Sequence, residues 1–460
     1  MGTPLPVTPA LRKKVLRVLF LSLLLDLISF TFILPLFPKL LEFYRDHEAS
    51  RAGSGTTILS RILKGLNTYK NSFAKPINDR YDIVLLGGAL GSLFSFLQAI
   101  ASPIIGTLSD KYGRRTALLW SMAGNVLSVA LWVAATDFRT FLASRVVGGL
   151  SEGNVQLAMA IATDISDDTQ RGATMALVGV CFSIAFTFGP ALGAYLSTIT
   201  TVAANPFASA AAFSLFLIVT ESVYLYFCLP ETLPIIPLKE RAASNGTTNG
   251  HVNNNGTASQ EKEKPRVRTN SHTILNATHF FFILFFSGME FSLPFMTYDL
   301  FAYGSAQTGK LLGFIGLVAS LLQGSVVRRS HPLTVVKMGV VACTIAFFML
   351  GRVTSQRGLY GAAALLAVTS ATVVTGLNSL SSFEAGSGER GEKLGNHRSF
   401  GQIGRSLGPL IFCSMYWWAG REMAYAVGSA GMIAVCALVF GGLKVPPGTQ
   451  MARKTKAKAT

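Results

Sequence analysis

The sequence predicts an all-α membrane protein with twelve transmembrane helices in two pseudo-symmetric six-helix bundles. Three observations carry that expectation. Half of the 460 residues are hydrophobic, only 14% are charged and the mean hydropathy is +0.44, which is too apolar for an ordinary water-soluble chain. Apolar runs long enough to cross a bilayer alternate with short polar connections. Landmarks in the first half of the chain return in the second at a nearly constant offset.

In order, the apolar runs occupy 15–38, 82–105, 116–136, 139–163, 173–198, 207–229, 274–298, 308–327, 334–351, 358–382, 397–419 and 422–443. Arg12, Lys13, Lys14 and Arg17 precede or open the first run, which is too long for a signal peptide and lacks a small-residue cleavage site, so it reads as a spanning helix entered from the cytosol. Alternation then returns the C-terminus to the cytosol. Most of the Lys and Arg outside the runs fall in the connections this topology makes cytosolic. The exception is 39–81, whose cations a long translocated loop tolerates; it is expected to be a short amphipathic or irregular extracytoplasmic segment.

Four regions follow: a six-helix bundle over 1–229, a linker over 230–273, a second bundle over 274–443 and a basic tail over 444–460. The linker is poor in hydrophobes and rich in Asn, Gly, Thr and charge, so it is expected to be disordered and cytosolic, which would hide the sequons at Asn245, Asn255 and Asn276. The tail MARKTKAKAT is suited to lipid headgroups. The formal charge of +17 is therefore read as cytosolic loops against anionic lipid, since no soluble basic domain is present to bind nucleic acid. Cys181, Cys228, Cys343, Cys413 and Cys436 all lie inside apolar runs, which argues against disulfides and metal clusters.

The repeat is specific. Gly106 opens the connection after span two and Gly324, followed by Arg328 and Arg329, that after span eight, 218 positions later. Arg171-Gly172 return as Arg390-Gly391, and Gly189-Pro190 as Gly408-Pro409, each 219 positions later. Two related bundles of this kind hold a substrate between them near the midplane and rock to expose it alternately.

The connection after span two, GTLSDKYGRR, holds Gly106, Asp110, Gly113, Arg114 and Arg115. Its three cations place it in the cytosol, its glycines allow close helix approach and positive φ, and its one acid suits a helix N-terminus. Within the spans, ionisable groups are functional candidates because they are costly in hydrocarbon. Asp26 lies eleven residues past Val15, near mid-depth, where the penalty on its ionised form suits it to bind and release a proton. Arg145 and Glu152 are seven apart in span four and share a face. Glu290 and Arg405 are further candidates, Glu221 in the sixth span a weaker one, and Lys310 and Glu384, near helix ends, are read as snorkelling. Gly189-Pro190-x-x-Gly193 removes a backbone hydrogen bond and permits close packing. Two phosphate-loop-like matches, Gly304–Lys310 and Gly386–Gly391, lack the strand–loop–helix context and are set aside.

GTLSDKYGRR matches the loop signature of the major facilitator superfamily, and the chain resembles that family over its whole length apart from linker and tails. Leu23–Pro38 and SRVVGGLSEGNVQLAMAIATDISDDTQRG resemble the first and fourth to fifth spans of twelve-span drug:proton antiporters. FSGMEF at Phe286–Phe291, QTGK at Gln307–Lys310 and GQIGRSLGPL at Gly401–Leu410 most resemble the eukaryotic tetracycline-transporter-like proteins. The resemblance implies substrate recognition and proton coupling for Asp26 and Arg145, and cavity-lining for Glu290. It also implies a latch in which Asp110 meets the N-terminus of span eleven and Arg114 pairs with Asp164 or Asp167, and a leak-resistant helix at Gly189, Pro190 and Gly193. Ser29 and Ala194 stand where glycines are usual, and Arg328 replaces the acid at Asp110's equivalent position.

The expected function is secondary transport: export of an amphipathic organic compound, anionic or drug-like, in exchange for protons. The implied partners are a small-molecule substrate, protons and membrane lipid, for a monomer in the plasma membrane or a vacuolar or other endomembrane, with no cofactor and no metal. The competing readings are a uniporter or symporter of an endogenous metabolite, and a transporter-shaped receptor. An enzyme is not expected, because His279, His331 and His397 are isolated in sequence and no catalytic cluster surrounds them.

Overall fold

The computed structural model describes residues 8–31, 33–51, 57–72, 81–196, 207–233, 269–386 and 388–446. Every regular element among them is helical: α1 Pro9–Thr31, α2 Ile33–Arg51, α3 Ile58–Asn71, α4 Tyr81–Tyr112, α5 Arg114–Val133, α6 Phe138–Ser151, α7 Asn154–Asp164, α8 Asp168–Leu196, α9 Ala208–Cys228, α10 His272–Phe301, α11 Ser305–Leu322 (continued by a π-turn, Gln323–Val327), α12 Pro332–Arg352, α13 Gln356–Glu384 and α14 Arg390–Gly442. Two large apolar cores form, one from Val15 to Leu229 and one from Leu275 to Leu443.

Nine of the described helices are long and apolar enough to cross a membrane. The difference from twelve has physical causes. Arg390–Gly442 is two expected spans joined at Gly420, whose φ of 85° turns the chain without interrupting the hydrogen-bonded run. The α1 helix carries Lys14, Arg17 and Asp26 among its apolar residues. Span four is broken into α6 and α7, with Glu152 at φ −70°, ψ 84° between them. In hydrocarbon such a break must find partners for its freed backbone groups. Helix α5 supplies them through Ser121, whose Oγ accepts the Gly153 N–H at 2.9 Å and donates to the Ser151 carbonyl; on the same face Ser128 Oγ donates to the Ser144 carbonyl within α6 at 2.7 Å.

Within 39–81 the described residues lie mostly in α2 and α3, in keeping with an amphipathic segment there, and α3 packs Tyr69 against Trp417 of α14. Other expectations are corrected. Gly324 lies inside the π-turn, not in a loop. His279 and His397 are not isolated; their rings stack 4.3 Å apart where α10 crosses α14. Glu384 does not snorkel: it is buried and accepts the Thr269 and Asn270 N–H groups at 3.0 and 2.9 Å, anchoring the entry to α10. The flanks of the linker, Pro230–Leu233 and Thr269–Ser271, are placed by such contacts, and the linker's central stretch and the basic tail lie outside the described residues.

The two halves repeat one crossing in detail. A side chain at Gly189 of α8 would collide with Thr31 and the Ile28 carbonyl of α1. One at Gly408 of α14 would collide with Ser287 and the Leu284 carbonyl of α10. Glycine is required at both because two helix backbones meet there. Pro190 lies within α8, and Gly193 is buried.

Candidate functional site

At one end of the molecule α4 meets the start of α14. Gly106 and Gly391 face each other so closely that neither tolerates a side chain. That approach brings the Asp110 carboxylate onto the helix N-terminus: Oδ1 accepts the Gly391 N–H at 3.0 Å and Oδ2 the Glu392 N–H at 2.7 Å. Arg114 is fully buried between two acids, 2.7 Å from Asp110 and 2.8 Å from Asp164. Asp164 also takes Arg390 at 2.9 Å, so one carboxylate joins a cation from each half. Asp167, the alternative partner for Arg114, is exposed.

The sequence reading missed Glu231, which completes this end. Its carboxylate accepts the N–H groups of Arg114 and Arg115 at 2.9 and 3.1 Å and thereby caps α5. Gly113 turns the chain into that position with a φ of 102°, and a side chain there would displace Glu231. The Arg115 guanidinium lies against the Tyr226 ring at 5.3 Å. Composition groups Glu231 with the linker, and nothing in its local sequence shows that it folds back across 117 positions.

Deeper in the first bundle, Asp26, Arg145 and Glu152 line one cavity of about 40 Å³, with Asn125, Ser128, Trp132 and Ser214 among its other walls. That volume holds a few waters and no organic solute. Arg145 and Glu152 share the cavity but form no ion pair: Arg145 donates to Ser144 Oγ at 3.1 Å and lies 5.4–6.0 Å from the rings of Phe141, Phe94 and Trp132. Glu152 accepts from Asn125 Nδ2 at 3.3 Å. Asp26 is buried beside Asn154, and its carboxylate and that of Glu152 repel each other.

The cation facing this acid pair comes from the other half. Arg398 of α14 attracts both Asp26 and Glu152, forms no ion-pair contact with either, and has a buried Nε without a hydrogen-bond partner. The run read as beginning at 397 put Arg398 at a helix end, whereas α14 starts at Arg390 and sets it two turns inside. Gln402 and Arg405 follow on the same face at i+4 and i+7. Arg405 pairs with Glu290 of α10 at 3.4 Å, with both side chains about half exposed (43% and 50%). Ser399 and Ser406 of α14 donate to the Ala99 and Ser92 carbonyls of α4 at 2.6 and 2.9 Å, which sets the register of the two halves. The charged candidates thus fall into three groups, the latch, the acid pair with Arg145, and Glu290–Arg405, with Arg398 between the last two. Gly189 belongs to the α1–α8 crossing, and Pro190 and Gly193 follow it in α8.

At the end opposite the latch, Leu85 of α4 packs with Phe295 of α10 and Trp417 of α14. Among the described residues the halves therefore meet at both ends, and the small cavity lies within the first bundle.

Comparison with known proteins places this geometry. The Major Facilitator Superfamily family model matches residues 19–409. The mouse major facilitator superfamily domain-containing protein 10 is 35% identical over 441 residues, covering 93% of this chain and 92% of its own length. A class G tetracycline resistance protein of Vibrio anguillarum is 26% identical over 339 residues, covering 72% and 80%. The crystal structure of the human organic anion transporter MFSD10 (TETRAN) superposes with a TM-score of 0.80 at 32% identity, covering 94% of this chain and all of that one.

Proposed function

The chain belongs to the major facilitator superfamily, and from that premise we propose that it transports organic anions coupled to protons by alternating access, with both termini in the cytosol. The observation that carries this reading is the position of Arg398. A partly buried arginine from one half, its Nε sealed from solvent, is attracted to two buried carboxylates of the other, and among the described residues it closes an ion pair on neither. In a low-dielectric interior those charges depend on one another strongly. An anion drawn to Arg398 and Arg405 competes with Asp26 and Glu152 for the same cation, and acids that lose their cation bind protons more readily. Anion and proton occupancy thereby favour each other through one side chain, and the linkage is reciprocal.

The similarity to a human organic anion transporter supports the substrate class, and the similarity to a tetracycline resistance protein supports export. The arginines on α14 favour anions over cations as cargo. The cavity is too small for an organic solute while both ends are packed, so passage requires the halves to separate at one end.

The test is uptake into proteoliposomes under an imposed pH gradient, with aromatic sulfonates, aromatic carboxylates and organic cations as cargo. The wild-type protein should move the anions and respond to the gradient. Asp26→Asn should abolish the response to the gradient while retaining anion exchange, and Arg398→Gln should lower anion transport at least about tenfold, the equivalent of 1.4 kcal/mol. Full gradient-driven transport by Asp26→Asn would remove the coupling role from that residue.

A further inference from the structure

Glu221 of α9 is 1% exposed, in the interior of a helix that is otherwise almost wholly apolar. One carboxylate oxygen accepts the Ser22 hydroxyl at 3.0 Å; the other has no partner and is sealed from solvent. Ser22 stands one turn from Asp26 on the face of α1 that meets α9, toward the end where the latch lies. Ile218, one turn from Glu221, lines the cavity that holds Asp26, Arg145 and Glu152. Glu221 therefore stands beside the acid pair rather than outside it.

The charges around it do not balance. Asp26 and Glu152 both repel Glu221, and the cations of the network, Arg145 and Arg398, act on Glu152 and Asp26 instead. Arg17 lies farther along α1, toward Tyr224, and Arg115 of α5 is committed to Tyr226 at the helix end. Three carboxyl groups and two guanidiniums share one buried region, which is neutral only when one carboxyl carries a proton. Among the described residues, Glu221 is the acid with two acidic neighbours, no facing cation and one unpartnered oxygen.

We propose that Glu221 is a second proton-carrying residue of this transporter, holding the balancing proton and passing it to Asp26 when Arg398 leaves the acid pair. In that step the O–H bond at Glu221 breaks as one forms at Asp26, and Glu221 is reprotonated from the latch side through Ser22. The net charge of the two acids is unchanged by the transfer itself. The inference rests on the proton-coupled reading for its role in transport, but not for the protonation state of Glu221.

Two measurements separate these. In purified wild-type protein without substrate, infrared spectroscopy at neutral pH should show a protonated-carboxyl C=O band that Glu221→Gln removes. Identical spectra would overturn the proposal whatever the transport result. In proteoliposomes with a fluorescent aromatic sulfonate, Glu221→Gln should keep gradient-free exchange within about twofold of wild type and lose most of its pH dependence, and Glu221→Asp should restore it. An unchanged pH profile in a wild type that is itself proton-coupled would overturn the proposal. A wild type indifferent to the gradient would overturn the coupled-transport reading instead, leaving the infrared result to decide the proton's place. Should Glu221→Gln fail to reach the membrane, Glu221→Asp carries the spectroscopic test: a shifted band supports the assignment and an unmoved one overturns it.

Discussion

Gly113 shows how much a single position decides at this protein's latch. Its φ of 102° is strained for any residue with a Cβ, and the space where that Cβ would sit holds the Glu231 carboxylate. Both the turn and the cap of α5 depend on it. Gly113→Ala should destabilise the purified protein by about 1–2 kcal/mol for the backbone conformation alone, read as a lower thermal unfolding midpoint in detergent. An unchanged midpoint would mean that the turn can relax without loss. Arg398 teaches the opposite lesson, since its local sequence is unremarkable and its importance comes from what faces it. A charge seven residues from Arg405 was visible in the chain, but its depth depended on where α14 begins, and Arg390 starts that helix earlier than hydropathy suggested.

Among the elements, the interrupted fourth span carries the most information. Hydropathy reads 139–163 as one helix, whereas the chain breaks at Glu152-Gly153, where Ser121 of α5 bonds the opened backbone and Asn125 of α5 holds the Glu152 carboxylate. The break turns Glu152 into the cavity beside Asp26. The start of this span is also set locally: Asp137 caps α6, its Oδ1 accepting the Thr140 N–H at 2.9 Å. Partial burial pushes the Asp137 carboxyl up, but the Thr140 hydrogen bonds and nearby Arg139 outweigh it and hold the carboxyl below its ordinary value. A carboxylate held low stabilises the fold above the unfolded acid's range, and the contribution is lost as pH falls through the folded value. Asp137→Ala should therefore cost about 1 kcal/mol at neutral pH and progressively less in acid, with Asp137→Asn milder because amides also cap helices. Thermal midpoints of the variants that differ from wild type equally at every pH would contradict this.

Across the whole molecule, the latch is the contact that most directly ties one half to the other. Asp110 binds the first amides of α14 and Asp164 bridges Arg114 to Arg390, so opening that end breaks several charge-assisted bonds together. Asp110→Asn should speed hydrogen exchange at the Gly391 and Glu392 amides at least about tenfold, equivalent to 1.4 kcal/mol of lost local protection. It should also slow transport without lowering the amount of protein in the membrane. Unaltered exchange at both amides would show that the end stays closed without the carboxylate. The two large apolar cores are separate, so each half is packed mainly on itself, with smaller clusters joining them.

The amino-acid sequence determined the membrane-embedded helical architecture, the internal repeat and the positions of the charges worth studying. These are written in composition, run length and spacing, which the bilayer reads directly: apolar segments must cross it, and buried ions must be few and purposeful. The 219-residue offset could be seen before any helix was placed, and the Gly189 and Gly408 crossings now give it a physical meaning. Tertiary structure alone decided which charges meet. That Asp164 joins both halves and that Glu231 reaches back to α5 are contacts, and that Arg398 acts on Asp26 and that Glu221 sits among acids are electrostatic relations, between residues far apart in the chain. Coulomb interactions depend on distance and burial, and neither is encoded locally; both exist only once the helices have packed.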